Sequence, residues 1–291
     1  MCRQLIFISI LFYFCLLISC GNRKKDIEQT IVIEQEQVND TVSLVLFDWE
    51  KAAILKNNAV NELKEKTKSN DKIIMNFLNE YTKLVDEFNE ILFKYEGYDS
   101  LNKLYIEKQR NSQYELNLKS EVEMNGFRLV YPEGMLEISQ NTDFIKSEIL
   151  SLVDAVSKEF INLYCNEFDN VCCDDAAIII SKEELVNRIY KWGEFSKKVA
   201  KLEYKKYVED EFYSNLYLLF YGVENTPAFH WGTDDYETKK YNSESIDLMN
   251  KIIEKNSTSR AAEEFKPFVE LLKNENFEET EKVKNYLETV K

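Results

Sequence analysis

The chain has 291 residues, with 52 acidic side chains against 37 basic ones and a net charge of −15. A surface this acidic repels phosphate backbones, which argues against nucleic acid as a partner. It equally disfavours lying flat on anionic lipid, so membrane contact calls for a tether.

Seven glycines and three prolines leave little punctuation, while 17 Tyr and 18 Phe supply bulk for a core. That composition predicts long helices with few tight turns. The elements begin with Leu5 to Ile18, apolar apart from Ser9 and preceded by one charge, Arg3. The run has the length of a signal-peptide core and is shorter than the about 20 residues a transmembrane helix needs. Leu17-Ile18-Ser19-Cys20 follows, with an aliphatic residue three before the cysteine and a small one directly before it. This resembles the lipobox of bacterial lipoproteins. The resemblance implies cleavage before Cys20, diacylation of its thiol and stable anchoring through two chains. Gly21 after the cysteine, in place of Asp, implies the outer membrane, with the domain facing the periplasm or the medium. The expected layout is a signal peptide over 1–19, a lipid-anchored tether over 20–40, a helical hairpin plus β-meander over 41–139 and a helical domain over 140–291.

From Val60 onward apolar residues recur at spacings of three and four. Phe77, Tyr81, Leu84, Phe88, Ile91 and Tyr95 form a coiled-coil-like seam. The polar run Lys68 to Asp71 breaks it, so two helices are predicted, 43–67 and 71–96, packed as a hairpin. Tyr114, Leu116, Leu118, Val122 and Met124 alternate with polar residues. With Asn125-Gly126 and the turn signal at Pro132-Glu133-Gly134, they predict a three-stranded antiparallel meander over 113–139.

Helical spacing resumes at Thr142 with Ile145, Ile149, Leu152, Val156, Phe160 and Leu163. Ser181 and Glu184 have the spacing of a capping box, and Tyr204 to Tyr221 stops at Gly222, a favourable helix-ending residue. Three shorter helices are predicted at 243–255, 258–273 and 278–290, with Pro267 kinking the second. The fold class expected is mainly α, a multi-helix bundle or irregular helical-hairpin array with a small antiparallel β-meander inserted. The helix pairs resemble tetratricopeptide-like solenoids in architecture alone, since no internal period is present.

Residues that carry chemistry are sparse. Ser-x-x-Lys occurs at Ser69/Lys72 and Ser100/Lys103, as often as chance allows, and without the companion motifs of penicillin-recognising serine enzymes. The segment 223–242 holds the single histidine, His230, beside Trp231 and Phe229, with Asp234 and Asp235 following. These five are the candidate binding residues: either a loop plugged onto the bundle by its aromatics, or a loop that presents them to a partner. Catalysis through His230 and the neighbouring acids is the weaker reading, and no catalytic residue is assigned.

Cys2 and Cys15 leave with the signal peptide, so Cys165, Cys172 and Cys173 remain. An exported chain can oxidise, and Cys165 to Cys172 or Cys173 is the natural disulfide. Three cysteines and a distant histidine do not make a zinc site, which takes about four ligands. No metal or cofactor is expected. Asp174 and Asp175 beside the cysteines argue against a reactive thiolate. The function that fits is a non-catalytic protein-interaction module on the envelope, inhibitor- or immunity-like in kind. A glycan- or peptide-binding lipoprotein and, further behind, an unrecognised hydrolase are the alternatives.

Overall fold

The break at Lys68 to Asp71 separates two helices, α1 (Trp49–Glu65) and α2 (Asn70–Lys94). The structure is a computed structural model that describes residues 47–66, 68–99, 102–103, 113–231 and 238–290. Lys66 takes a left-handed conformation (φ 51°), which ends α1 and turns the chain back. The two helices run antiparallel, with Phe47 just before α1 against Phe88 near the end of α2 (ring centroids 5.2 Å). The buried stripe of α2 contains Ile74, Phe77, Leu78, Tyr81, Phe88 and Leu92. It therefore slips off the predicted seam at Leu84 and Ile91, which are only half-buried.

The next segment departs from the sequence reading. Residues predicted as the first strand of a meander form helix α3 (Gln113–Met124). Leu118 and Val122, one helical turn apart, are buried, whereas Met124 is 74% exposed. The period of four therefore prevails over the period of two. Asn125-Gly126 terminates this helix instead of making a hairpin. Gly126 adopts φ +89°, its N–H donates to the Glu123 carbonyl at 3.0 Å, and the Asn125 amide donates to the Glu121 carbonyl at 2.8 Å. A Cβ at Gly126 would run into the Phe144 ring. The meander is thus reduced to one hairpin, β1 (Phe127–Val130) with β2 (Glu137–Gln140). The side chain of Asn89 on α2 accepts from Ile138 N–H (2.7 Å) and donates to its carbonyl (2.9 Å), covering the β2 edge as a neighbouring strand would.

The helical face predicted from Thr142 is interrupted. α4 (Thr142–Ile149) runs through a short 3₁₀ turn, and α5 (Ala155–Asp169) restarts where Asp154 accepts from Ser157 N–H at 2.8 Å. A hairpin of β3 (Cys173–Asp174) and β4 (Ala177–Ile178) leads to α6 (Lys182–Ser196) and α7 (Lys205–Tyr221). Ser181 caps α6 by accepting from Glu184 N–H at 3.1 Å. Gly193 lets α7 come close, because a Cβ there would sit 3.0 Å from the Phe212 ring.

The segment 223–242, read as a loop, is folded into two hairpins: β5 (Gly222–Val223) with β6 (Thr226–Pro227), and β7 (Phe229–Trp231) with β8 (Lys239–Tyr241). The chain closes with α8 (Ser243–Lys255), α9 (Arg260–Asn274) and α10 (Glu281–Leu287), near the predicted positions. Pro267 lies inside α9 without ending it. Asn141, Asp154, Ser181, Asn242, Ser259 and Thr280 each cap a helix start with a side-chain oxygen. These caps mark helix starts in a chain poor in glycine and proline.

The protein is mainly α, with small two-stranded antiparallel sheets among the described residues. Residues 45–291 form one compact unit. Asp71 on α2 accepts from Glu203 N–H at 2.8 Å, and Gln140 on β2 donates to Thr82 on α2 at 2.9 Å. The expected division between 41–139 and 140–291 therefore runs through a shared core.

Candidate functional site

The hairpin of β7 and β8 carries three of the five predicted binding residues, Phe229, His230 and Trp231. Its register pairs Phe229 with Tyr241, His230 with Lys240 and Trp231 with Lys239. Phe229 is 5% exposed and packs edge-on against Tyr241 (5.0 Å), which packs edge-on against Phe268 of α9 (5.2 Å). The Tyr241 hydroxyl donates to the Leu219 carbonyl at 2.7 Å. Beyond the hairpin, Tyr241 N–H donates to the Phe277 carbonyl (2.8 Å) and Glu279 N–H to the Lys239 carbonyl (2.9 Å). β8 is thus held on both edges.

Trp231 lies two residues on from Phe229, on the same face of the strand, yet it is 54% exposed. The Lys239 ammonium sits 5.2 Å from its ring centroid. His230 is exposed as well. Asp234 and Asp235 lie outside the described residues. So do Cys20 and the segments 1–19 and 20–40 expected to be a signal peptide and a tether. Phe229 plugs the bundle, and Trp231 and His230 are presented to solvent by a hairpin with a fixed base.

A second polar cluster was not anticipated. Arg188 on α6 is 1% exposed. Its guanidinium donates to Glu167 on α5 (2.6 Å), to Glu184 one turn earlier (3.2 Å) and to the Asn170 carbonyl. Trp192 Nε1 donates to the other Glu167 oxygen at 3.0 Å. Burial pushes the Glu167 carboxyl above its usual range, against the pull of Arg188 and Trp192. On α7, burial and then the Glu167 charge push Glu211 up to about 7, against the opposing pull of the Tyr207 hydroxyl. Glu184, Arg188 and Trp192 stand at steps of four, as do Tyr207 and Glu211. That spacing is the signal the sequence offers for the cluster, although Glu184 also has the position of a capping-box partner to Ser181.

The cysteines do not pair as expected: Cys165, Cys172 and Cys173 are all free. Cys165 is buried in α5 with its sulfur 4.0 Å from the Thr142 carbonyl, at the start of α4. Cys172 and Cys173 lie past the end of α5, within the field of Arg188. The helix end carries the two partners to different neighbours.

Among the described residues, no three His, Cys, Asp or Glu side chains converge as metal ligands would. No helix among them is long and apolar enough to cross a membrane. The concavities are open: a groove of about 460 Å³ bordered by Glu159, Asn166 and Lys191, and one of about 660 Å³ beside Asn70 and Asp154. No protein-family model, curated protein or solved structure matches the chain.

Proposed function

We propose that this protein is a lipid-anchored envelope protein that acts as a non-catalytic protein-interaction module, with the β7–β8 hairpin as its contact surface. The observation that carries the reading is Trp231, an aromatic 54% exposed on a hairpin whose base is fixed by buried Phe229 and Tyr241. Exposed aromatics on rigid supports are the residues that dominate protein interfaces when desolvated. A net charge of −15 favours a basic partner by steering its approach. The lipobox-like Leu17 to Cys20 supplies the tether that such a charge makes necessary at a membrane.

A photoreactive phenylalanine analogue placed at 231 in the producing bacterium should give a discrete protein adduct. The same analogue at the exposed Met135 should not. Absence of an adduct at 231 refutes the contact surface. The Cys20→Ala variant should leave the detergent phase, and unchanged partitioning refutes the anchor.

A further inference from the structure

The turn between α8 and α9 reads Asn256-Ser257-Thr258, an asparagine followed two residues on by a hydroxyl with no proline between them. That spacing is the acceptor pattern for an asparagine-linked glycan, and the context that gives it meaning is a surface turn in an exported chain. The pattern occurs twice in the sequence. Asn39-Asp40-Thr41 lies outside the described residues, and Gln37 stands two before its asparagine. In the α8–α9 turn that place is taken by Glu254, exposed on the last turn of α8. The bacterial form of the transfer selects an acidic residue there, so Asn256 has the complete pattern and Asn39 does not.

The fold presents this segment at the surface. Asn256 ends α8 outside the helical region (φ −149°, ψ 80°), and Ser259 opens α9 by accepting from Ala262 N–H at 3.1 Å. The acceptor triplet therefore fills the turn and enters neither helix. Ser257 and Thr258 are exposed, and Asn256 is half-buried. Thr258 Oγ1 donates to Asn256 Oδ1 at 3.2 Å, so the hydroxyl and the carboxamide stand side by side. The Asn256 side-chain amide donates to the Tyr190 hydroxyl at 3.3 Å. A substituted amide keeps one N–H, so that contact survives a bond at the other.

Main-chain carbonyls hold the turn together. Asn256 C=O accepts from Ser259 N–H (3.0 Å) and from the Ser259 hydroxyl (2.8 Å), and Thr258 C=O accepts from the Lys197 ammonium at 3.1 Å. None of these bonds uses the Asn256 side-chain nitrogen, so a glycan there leaves the turn intact.

We propose that Asn256 is an asparagine-linked glycosylation site. The proposal rests on the export that Leu17 to Cys20 implies. The donor is an oligosaccharide carried on a polyprenyl pyrophosphate. The Asn256 side-chain nitrogen bonds to the anomeric carbon, and the bond from that carbon to the pyrophosphate oxygen breaks. The pyrophosphate leaves with the electron pair, and the amide proton passes to a base of the transferase. Nothing is oxidised or reduced.

The test uses the full-length chain purified in detergent from the producing bacterium. After trypsin digestion the 256–260 peptide should carry whole monosaccharide masses on Asn256, while the 26–51 peptide should show Asn39 bare. Asn256→Gln and Thr258→Ala should lose the glycan, and Glu254→Gln should lower its occupancy. Thr258→Ser keeps the hydroxyl and should retain the glycan. Detergent partitioning of the same samples separates the two readings. A bare 256–260 peptide in a chain that partitions into detergent overturns the glycan and spares the anchor. A bare peptide in a chain that stays in the aqueous phase overturns both. A modification that persists in Thr258→Ala overturns the assignment to this acceptor pattern.

Discussion

Phe229 and Trp231 share one face of a short strand, so truncating each in turn tests whether the hairpin has a fixed base and a free tip. Phe229 is 5% exposed and wedged against Tyr241. Phe229→Ala should therefore cost about 3–5 kcal/mol, the transfer free energy of a buried ring plus the cavity it leaves. In a unit of this size that lowers Tm by about 6–20 °C. Trp231 is 54% exposed and its described contact is the Lys239 ammonium at 5.2 Å. An exposed cation–π pair contributes about 0.5–1 kcal/mol, so Trp231→Ala should cost about 1 kcal/mol or less. Urea denaturation followed by circular dichroism gives both values from the midpoint at constant slope. Equal destabilisation by the two variants would mean that Trp231 is part of the core, and the contact surface proposed above would fall with it.

Two further outcomes follow from the buried cluster. Glu211 ionises at about 7 in the folded protein against 4.5 for the free side chain, so between those values the unfolded chain has lost a proton that the folded chain keeps. Raising the pH through that window should weaken folding by about 3 kcal/mol, and Glu211→Gln should abolish that slope in urea midpoints measured at about pH 5 and about pH 8. Parallel slopes would contradict the burial of the carboxyl. Arg188→Met leaves Glu167 buried beside Trp192 without its cation and should cost about 3–5 kcal/mol by denaturant titration. The double variant Arg188→Met/Glu167→Gln should recover part of that loss, and a double variant worse than the single one would argue against direct pairing.

Helix positions were legible in the sequence wherever spacing and caps agreed. Ser181 and Gly222 mark the ends of α6 and α7 as read, and the Lys68 to Asp71 break falls between α1 and α2. The reading failed at 113–124, where Tyr114, Leu116, Leu118, Val122 and Met124, spaced in steps of two and four, mimic strand alternation in sequence. Only Leu118 and Val122, four apart and both buried, settle its period. In 223–242, few side chains alternate and no Asn-Gly or Asp-Gly marks a turn, so the two hairpins had no local signature. Arg188 escaped notice because an arginine in an amphipathic helix ordinarily faces water. Its burial depends on Glu167, 21 residues away, a pairing that only tertiary structure brings about. The cysteine pairing was misjudged for a related reason: proximity in sequence says nothing of which way a helix aims Cys165.

Phe47 precedes the first turn of α1, where it meets Trp49, Phe88 and, through them, Phe127. Any pull on the chain ahead of it is therefore borne first by a knot of rings drawn from α2 and the β1–β2 hairpin, and only afterwards by the turns of α1. Trp49 also donates to Glu121 on α3 at 2.7 Å, so the load spreads into a third helix. Were the protein held at its leading end, as proposed, that arrangement would resist peeling: the α1–α2 pair could not unzip until an aromatic cluster shared by α1, α2 and β1 gave way.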